Sequence, residues 1–533
     1  MTSTETLITG KNYIGQKLSA KGTTTFKTMN PITNTENETV FTEATPDEIE
    51  EAVALAWNVF PSYKNISSSK KAAFLQGIAN GIEEAGEELL AMYCQESGLA
   101  RGRAEGERGR TVGQLRAFAQ LVLEGSWVDA TIDTAMPDRT PLPKVDIRKM
   151  SIPIGPIVVF GASNFPLAFS TAGGDVASAL AAGCPVIVKS HAMHAGTGEM
   201  VAAIVLKTAK DTGMPNGVFS NLLAAGQSVG VQLVAHKHIK GVGFTGSIQG
   251  GRALYDIAAK RPEPIPVFAE MGSINPIVIL PSALQTDFDK WTTQIVGSIT
   301  NGAGQFCTKP GLLIGLKSEL LTKFIQTLGE KLQQIAPVCM LHPTIKKNFN
   351  AGKELLSSQE NVSVVARYED AVNPNFAQQM LLTVEGKTFL ANPLLATEVF
   401  GPFSIVVQCE NSEELLQIIK GLEGQLTGTI LADTTELAAS SVLIDALQNR
   451  VGRIIFNGVP TGVEVCPSML HGGPYPASSD SRFTAVGIHA IKRWVRPFSF
   501  QNCPMELLPL ALQNDNPLKI QRLVNNNLTN EAL

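Results

Sequence analysis

Long apolar runs are missing from this sequence. No uninterrupted stretch approaches the ~20 residues that span a bilayer, so a helical membrane segment is not expected. Basic clusters are missing as well. The formal net charge is −5 with no run of lysine or arginine, which argues against a nucleic-acid surface. The opening Met1-Thr2-Ser3-Thr4-Glu5 has neither the basic start nor the apolar centre of a signal peptide. Seven cysteines, at 94, 184, 307, 339, 409, 466 and 503, are odd in number and scattered, without a Cys-x-x-Cys pair. That usage fits reduced thiols in a cytoplasmic protein rather than disulfides or a zinc site. His191 and His194 lie close together, but no third ligand is near them in sequence, so no metal site is expected.

What is present describes a globular enzyme. The chain has 533 residues, 44% hydrophobic and 17% charged, which is too long for one core and suggests two or three domains. Residues 1–45 read as a polar arm with edge strands. Thr45-Pro46-Asp47-Glu48 carries an N-cap with proline and acids in the first turn, and opens a helical stretch. Amphipathic helices are expected over 49–60, 67–83, 84–97 and 104–124. Prolines 137, 141, 143 and 153 frame a ribbon around 145–150. From 157 the pattern becomes α/β: apolar runs at 157–160, 185–188, 218–223 and 241–244 alternate with helical stretches. Such alternation implies a parallel, doubly wound sheet. A second α/β round runs from 277 to about 457, with helices near 288–301, 318–332 and 412–420. A second proline-bounded ribbon is expected at 491–498, and residues 514–533 as a surface tail.

Six short motifs carry chemistry. Gly161-Ala162-Ser163-Asn164-Phe165-Pro166 follows a buried strand, where α/β folds place ligands; Asn164 there is either an oxyanion donor or a simple Asx turn. Lys189 leaves the next strand and is either a ribose or phosphate contact or a surface lysine. Gly241-Val242-Gly243-Phe244-Thr245-Gly246-Ser247 matches G-x-G-x-x-G, without a clear acid about 20 residues on. Its Gly246-Ser247 end offers backbone N–H groups to a pyrophosphate. Glu270 and Glu398 each stand among apolar neighbours, where a carboxylate is costly and its pKa rises. Finally, Gly302-Ala303-Gly304-Gln305-Phe306-Cys307 puts a thiol on a glycine-rich turn, a nucleophile if something nearby takes its proton.

In this order the motifs resemble the aldehyde dehydrogenase superfamily over about residues 25–500. The resemblance implies an α/β fold of two doubly wound parallel-sheet domains with a projecting β-ribbon for oligomerisation. It assigns 1–137 and 156–276 to a cofactor-binding domain and 277–480 to a catalytic domain. Residues 138–155 and 481–533 become the oligomerisation ribbon and tail of a homodimer or homotetramer. It implies that Cys307 attacks an aldehyde to form a thiohemiacetal, with Asn164 holding the oxyanion; such donors are worth about 3 kcal/mol each. Glu270 becomes the base that activates water, and Lys189, Gly246, Ser247, Glu398 and Phe400 hold a nicotinamide cofactor. Two departures stand out. Lys189-Ser190-His191-Ala192 lacks the acid that takes the ribose 2′-OH, so NADP is expected as well as NAD. Ser273 stands where glycine usually follows Glu-x-Gly.

The segments 107–116 and 465–484 resemble the 2,5-dioxovalerate (α-ketoglutaric semialdehyde) dehydrogenase branch. Long-chain fatty aldehyde dehydrogenases are the alternative branch, and CoA-acylating enzymes a further one that Glu270 disfavours. A dioxovalerate substrate carries a far carboxylate, for which Arg116 is the expected partner, with Phe165 as a further substrate residue.

Overall fold

The computed structural model describes residues 8–533; the reading of residues 1–5 lies outside them. Two seven-stranded sheets dominate. The first runs Val267–Glu270, Gly241–Thr245, Ile157–Phe160, Val186–Lys189, Phe219–Leu222, then Asn12–Ile14 and Lys17–Ser19. Its first five strands are parallel, and the N-terminal arm adds the last two antiparallel. Ile157-Val158-Val159-Phe160 is buried throughout, because helices cover both faces of the sheet. The strand order reverses direction between Ile157–Phe160 and Gly241–Thr245, which opens a crevice at their carboxyl ends.

The helices begin where the sequence signals them. Thr45 and Glu48 form a reciprocal capping box at the head of Pro46–Tyr63. Arg101–Glu124 is a 24-residue helix that stops at Gly125, φ 81. The small-residue helix Gly174–Ala182 is buried at every position. Its slimness lets it lie between the sheet and the C-terminal segment.

The second sheet runs Val362–Arg367, Met380–Glu385, Phe403–Cys409, Leu312–Leu316, Ile277–Ile279, Gln425–Leu431 and Val451–Phe456. All but the edge strand Val362–Arg367 are parallel. Helix Pro281–Thr300 returns the chain to the amino edge of this sheet, just before Leu312–Leu316. The link from Glu270 to Ile277 joins the two sheets directly.

A third, five-stranded sheet corrects three expectations. Its order is Val495–Gln501, Ile147–Pro153, Thr131–Asp133, Arg522–Val524, Asn527–Thr529. Thr131–Asp133 therefore belongs to this sheet, so a domain boundary at 137 falls inside it. Residues 514–533 are no loose tail: Arg522 is buried and donates to the carbonyls of Gln513, Asn514 and Glu531, beside Leu512, Ile520 and Val524. Residues 491–494 are not ribbon either. Ile488–Trp494 is a 3-10 helix, held because Trp494 Nε1 donates to Ser178 Oγ at 2.8 Å and Arg493 pairs with Asp175 at 2.6 Å. Among the described residues no helix is long and apolar enough to cross a membrane.

Candidate active site

The crevice of the first sheet faces the amino edge of the second, and the motifs meet there. After Ile157–Phe160, Asn164 is buried and its Nδ2 donates to the carbonyl of Gln305 at 3.1 Å. After Gly241–Thr245, Ser247 Oγ caps the helix Ile248–Ala259 by accepting from Gly250 N–H at 3.1 Å. At the end of Val267–Glu270 the Glu270 side chain points inward and the residue is 6% exposed.

The thiol arrives on a constrained turn. Gly302, Ala303 and Gly304 take φ of 54, 57 and 63 in succession. A Cβ on Gly304 would stand 2.3 Å from the carbonyl oxygen of Gly401, so the close approach of these two loops needs glycine. Asn275 Nδ2 then clamps the turn from below, donating to the carbonyls of Cys307 at 2.8 Å and Lys309 at 3.0 Å. Ser273 supports that clamp, with Oγ 2.9 Å from Gln425 Oε1 and accepting the Leu426 N–H. Its departure from glycine thus serves the link between the sheets. Lys309, unexplained by the sequence, donates to the carbonyls of Val399 and Phe403 and so holds the loop that carries Glu398. Burial lowers the Lys309 pKa and raises that of Glu398, each opposed by the other's charge.

Cys307 has a partner that sequence reading missed. His471 Nε2 lies 3.3 Å from Cys307 Sγ, and its Nδ1 lies 3.0 Å from Glu270 Oε2. Thiol, imidazole and carboxylate form one chain. Burial by itself would depress the imidazolium, but the sulfur and the carboxylate on either side outweigh it and lift the His471 pKa to about 10. Glu270 is raised by burial, with His471 pulling it back down. The signal that could have found His471 is its neighbour pair Gly472-Gly473: a Cβ on Gly473 would meet the Gln425 carbonyl oxygen at 2.2 Å, so the segment threads a tight gap.

A cavity of about 350 Å³ collects these groups. Asn164, Phe165, Gly246, Ser247, Cys307, Glu398, Phe400 and His471 all line it. Glu270 sits behind His471. Lys189 stands apart, at the end of its strand, with its pKa lowered to about 8 by burial against the attraction of Glu43. Arg116 must be reassigned. It is on the outer face of its helix, where it pairs with Glu83, because the helix turns the faces of 103, 107 and 110 inward instead.

The sequence pattern of the aldehyde dehydrogenase family matches residues 18–475. The chain belongs to the aldehyde dehydrogenase family. An Acinetobacter baylyi protein named alpha-ketoglutaric semialdehyde dehydrogenase is 43% identical over 521 residues, 98% of this chain and 99% of its own. An Azospirillum brasilense protein, alpha-ketoglutaric semialdehyde dehydrogenase 2, is 44% identical over 517 residues, 97% of this chain and 98% of its own. A Staphylococcus aureus betaine aldehyde dehydrogenase, solved with NAD+, shares the fold with a TM-score of 0.80. It is 19% identical, covering 93% of this chain and 96% of that one.

In this aldehyde dehydrogenase the residues present fit a nicotinamide cofactor. Gly272 lies against the Glu398 carboxylate, where a Cβ would stand 2.4 Å from Oε2, so both line the cavity side by side only because residue 272 has no side chain. The start of helix Ile248–Ala259 opens onto the same cavity at Gly246 and Ser247 and favours a pyrophosphate.

Proposed function

We propose that this enzyme oxidises α-ketoglutaric semialdehyde (2,5-dioxovalerate) to 2-oxoglutarate, with Cys307 as the nucleophile. The observation that carries the reading is the unbroken contact Cys307–His471–Glu270 on the wall of the cavity. The names of the two relatives above 40% identity support the substrate.

The chain of contacts divides the work. The His471 ring, with Nε2 3.3 Å from Sγ, is placed to take the thiol proton as the sulfur attacks the carbonyl carbon. The carbonyl oxygen gains a proton-donor partner in the Asn164 amide, which spends one of its two N–H bonds on Gln305. A nicotinamide cofactor held by Gly246, Ser247, Glu398 and Phe400 would supply the two-electron acceptor for the aldehyde hydrogen. The carbon is then left as a thioester on Cys307. Glu270 Oε1, which accepts no protein hydrogen bond among the described residues, takes a proton from water, whose oxygen attacks the thioester. The C–S bond breaks, the carboxylic acid departs, and the thiolate returns beside His471.

NADP is the proposed cofactor, with NAD as the lesser one. Ser190-His191 offers no carboxylate to a ribose beside Lys189, and Glu43 accepts the Ala225 and Gly226 N–H groups. The five-stranded sheet is the proposed contact of a homodimer or homotetramer, and the reduced cytoplasm its proposed setting, given seven free cysteines. Steady-state assays of 2,5-dioxovalerate, succinate semialdehyde and a long-chain aldehyde, each with NADP and NAD, test this. The highest kcat/KM is expected for 2,5-dioxovalerate with NADP. A long-chain preference would reject the substrate, and an advantage of about tenfold or more for NAD, some 1.4 kcal/mol, would reject the cofactor.

A further inference from the structure

Asn275 lies on the link between the two sheets, after Glu270 and before the strand Ile277–Ile279, and it is fully buried. Its φ of 46 falls in the left-handed region, which asparagine enters more readily than most residues with a side chain. The amide is held at both ends. Nδ2 donates to the carbonyls of Cys307 and Lys309, at 2.8 and 3.0 Å. Oδ1 accepts from Thr427 Oγ1 at 2.9 Å and lies 3.0 Å from Ser273 Oγ. Two carbonyls at one end and two hydroxyls at the other leave the amide a single orientation. Gln425 extends the network, its Oε1 accepting the Ile274 N–H at 2.7 Å. Ser273, Gln425 and Thr427 are buried too, so these bonds form in a low-dielectric interior that strengthens them.

The clamp acts on the turn that carries the thiol. Lys309 N–H donates to the Phe306 carbonyl at 3.1 Å, which closes a turn with Cys307 and Thr308 at its centre. The Phe306 carbonyl and the Cys307 N–H share one planar trans peptide, so that N–H points the opposite way, out of the turn. It donates to no acceptor among the described residues. Asn275 fixes the next peptide by its carbonyl, so both peptides flanking the nucleophile are held. When Sγ adds to an aldehyde carbon, the pair of electrons in the C=O π bond moves onto oxygen. A backbone donor already fixed in place stabilises that oxygen without reorganising.

We propose that Asn275 is a positioning residue, which fixes the Cys307 peptide so that its free N–H meets the oxygen that becomes negative. The inference rests on Cys307 being the nucleophile. It gives the link between the sheets two tasks, with the base Glu270 at one end and the clamp Asn275 at the other.

The test uses two variants. Asn275→Gly removes the side chain without straining the left-handed backbone, and Thr427→Val keeps the amide but takes one donor from Oδ1. Two carbonyl reactions are followed, the NADPH burst with saturating succinate semialdehyde and the cofactor-free hydrolysis of p-nitrophenyl acetate. Alkylation of Cys307 by iodoacetamide without cofactor is the contrast, because it forms no oxyanion. In Asn275→Gly both carbonyl reactions are expected to slow about 100-fold, the scale of one lost oxyanion donor, with KM changed by less than about threefold. In Thr427→Val they are expected to slow about fivefold, the scale of one neutral hydrogen bond. Alkylation is expected to stay near the wild-type rate in both. Alkylation that falls in step with the carbonyl reactions would overturn the inference, since Asn275 would then only hold the thiol in place. Unchanged carbonyl rates would overturn it as well. If Asn275→Gly does not fold, the same comparison in Thr427→Val decides. Cys307→Ala separates the underlying reading. If that variant keeps both carbonyl reactions, Cys307 is not the nucleophile and the inference falls with it. An inactive Cys307→Ala beside a fully active Asn275→Gly overturns the inference alone.

Discussion

His471 sets the charge on both of its neighbours. Its imidazolium lowers the pKa of Glu270, against the burial that raises it, so removing that charge releases the burial effect. The Glu270 pKa must then rise, and the pH below which the carboxylate is protonated and unable to take a proton from water rises with it. In His471→Gln the acid limb of kcat is therefore expected to move to higher pH. Alkylation of Cys307 by iodoacetamide near neutral pH is expected to slow in the same variant. An acid limb that stays in place would show that Glu270 and His471 do not communicate in the working enzyme. Cys307, Glu270 and Asn164 could be picked out in the sequence because each sits in a short local motif. His471 could not, because its meaning comes only from contacts spanning 164 and 201 residues of chain.

The buried helix Gly174–Ala182 and the 3-10 helix Ile488–Trp494 lock the C-terminal segment onto the first domain. The lock depends on a buried ion pair, Arg493 with Asp175, both almost fully enclosed. Asp175→Ala is expected to cost about 3–5 kcal/mol, because it leaves the guanidinium buried and uncompensated. Denaturant unfolding measures the loss, and the double variant Asp175→Ala with Arg493→Met should recover part of it. A loss below about 1 kcal/mol would mean that water reaches Arg493 and that the lock is loose. The strands and helices of the first domain were readable because unbroken apolar runs alternate with amphipathic stretches. The 3-10 helix was misread as ribbon because Ile491 to Val495 is rich in β-formers, and only the sockets for Trp494 and Arg493 override that preference. Likewise, the polar sequence after 514 hid a hairpin whose inner face carries Arg522, bonded to carbonyls, beside the buried Val524.

The three sheets give the molecule one working crevice and one surface left unfinished. Val495–Gln501 and Asn527–Thr529 are the outer strands of the five-stranded sheet, and they carry exposed Phe498 and Leu528. Unpaired edges with apolar side chains invite another copy of the chain. The wild type is expected to show a mass of two or four 56.9 kDa chains by light scattering, and Phe498→Asp with Leu528→Asp to shift it toward one. A wild-type monomer, or an unmoved mass in the variant, would remove that sheet as the contact. The crevice itself joins the carboxyl ends of one sheet to the amino edge of the other, an arrangement that the order of motifs along the chain does not reveal. Its chemistry is tested most directly by intact-mass spectrometry of Glu270→Gln mixed with 2,5-dioxovalerate and NADP. The prediction is one 2-oxoglutaryl group per chain, carried by the Cys307 peptide, with a burst of NADPH and little further turnover. Full turnover with no acyl adduct would contradict the account.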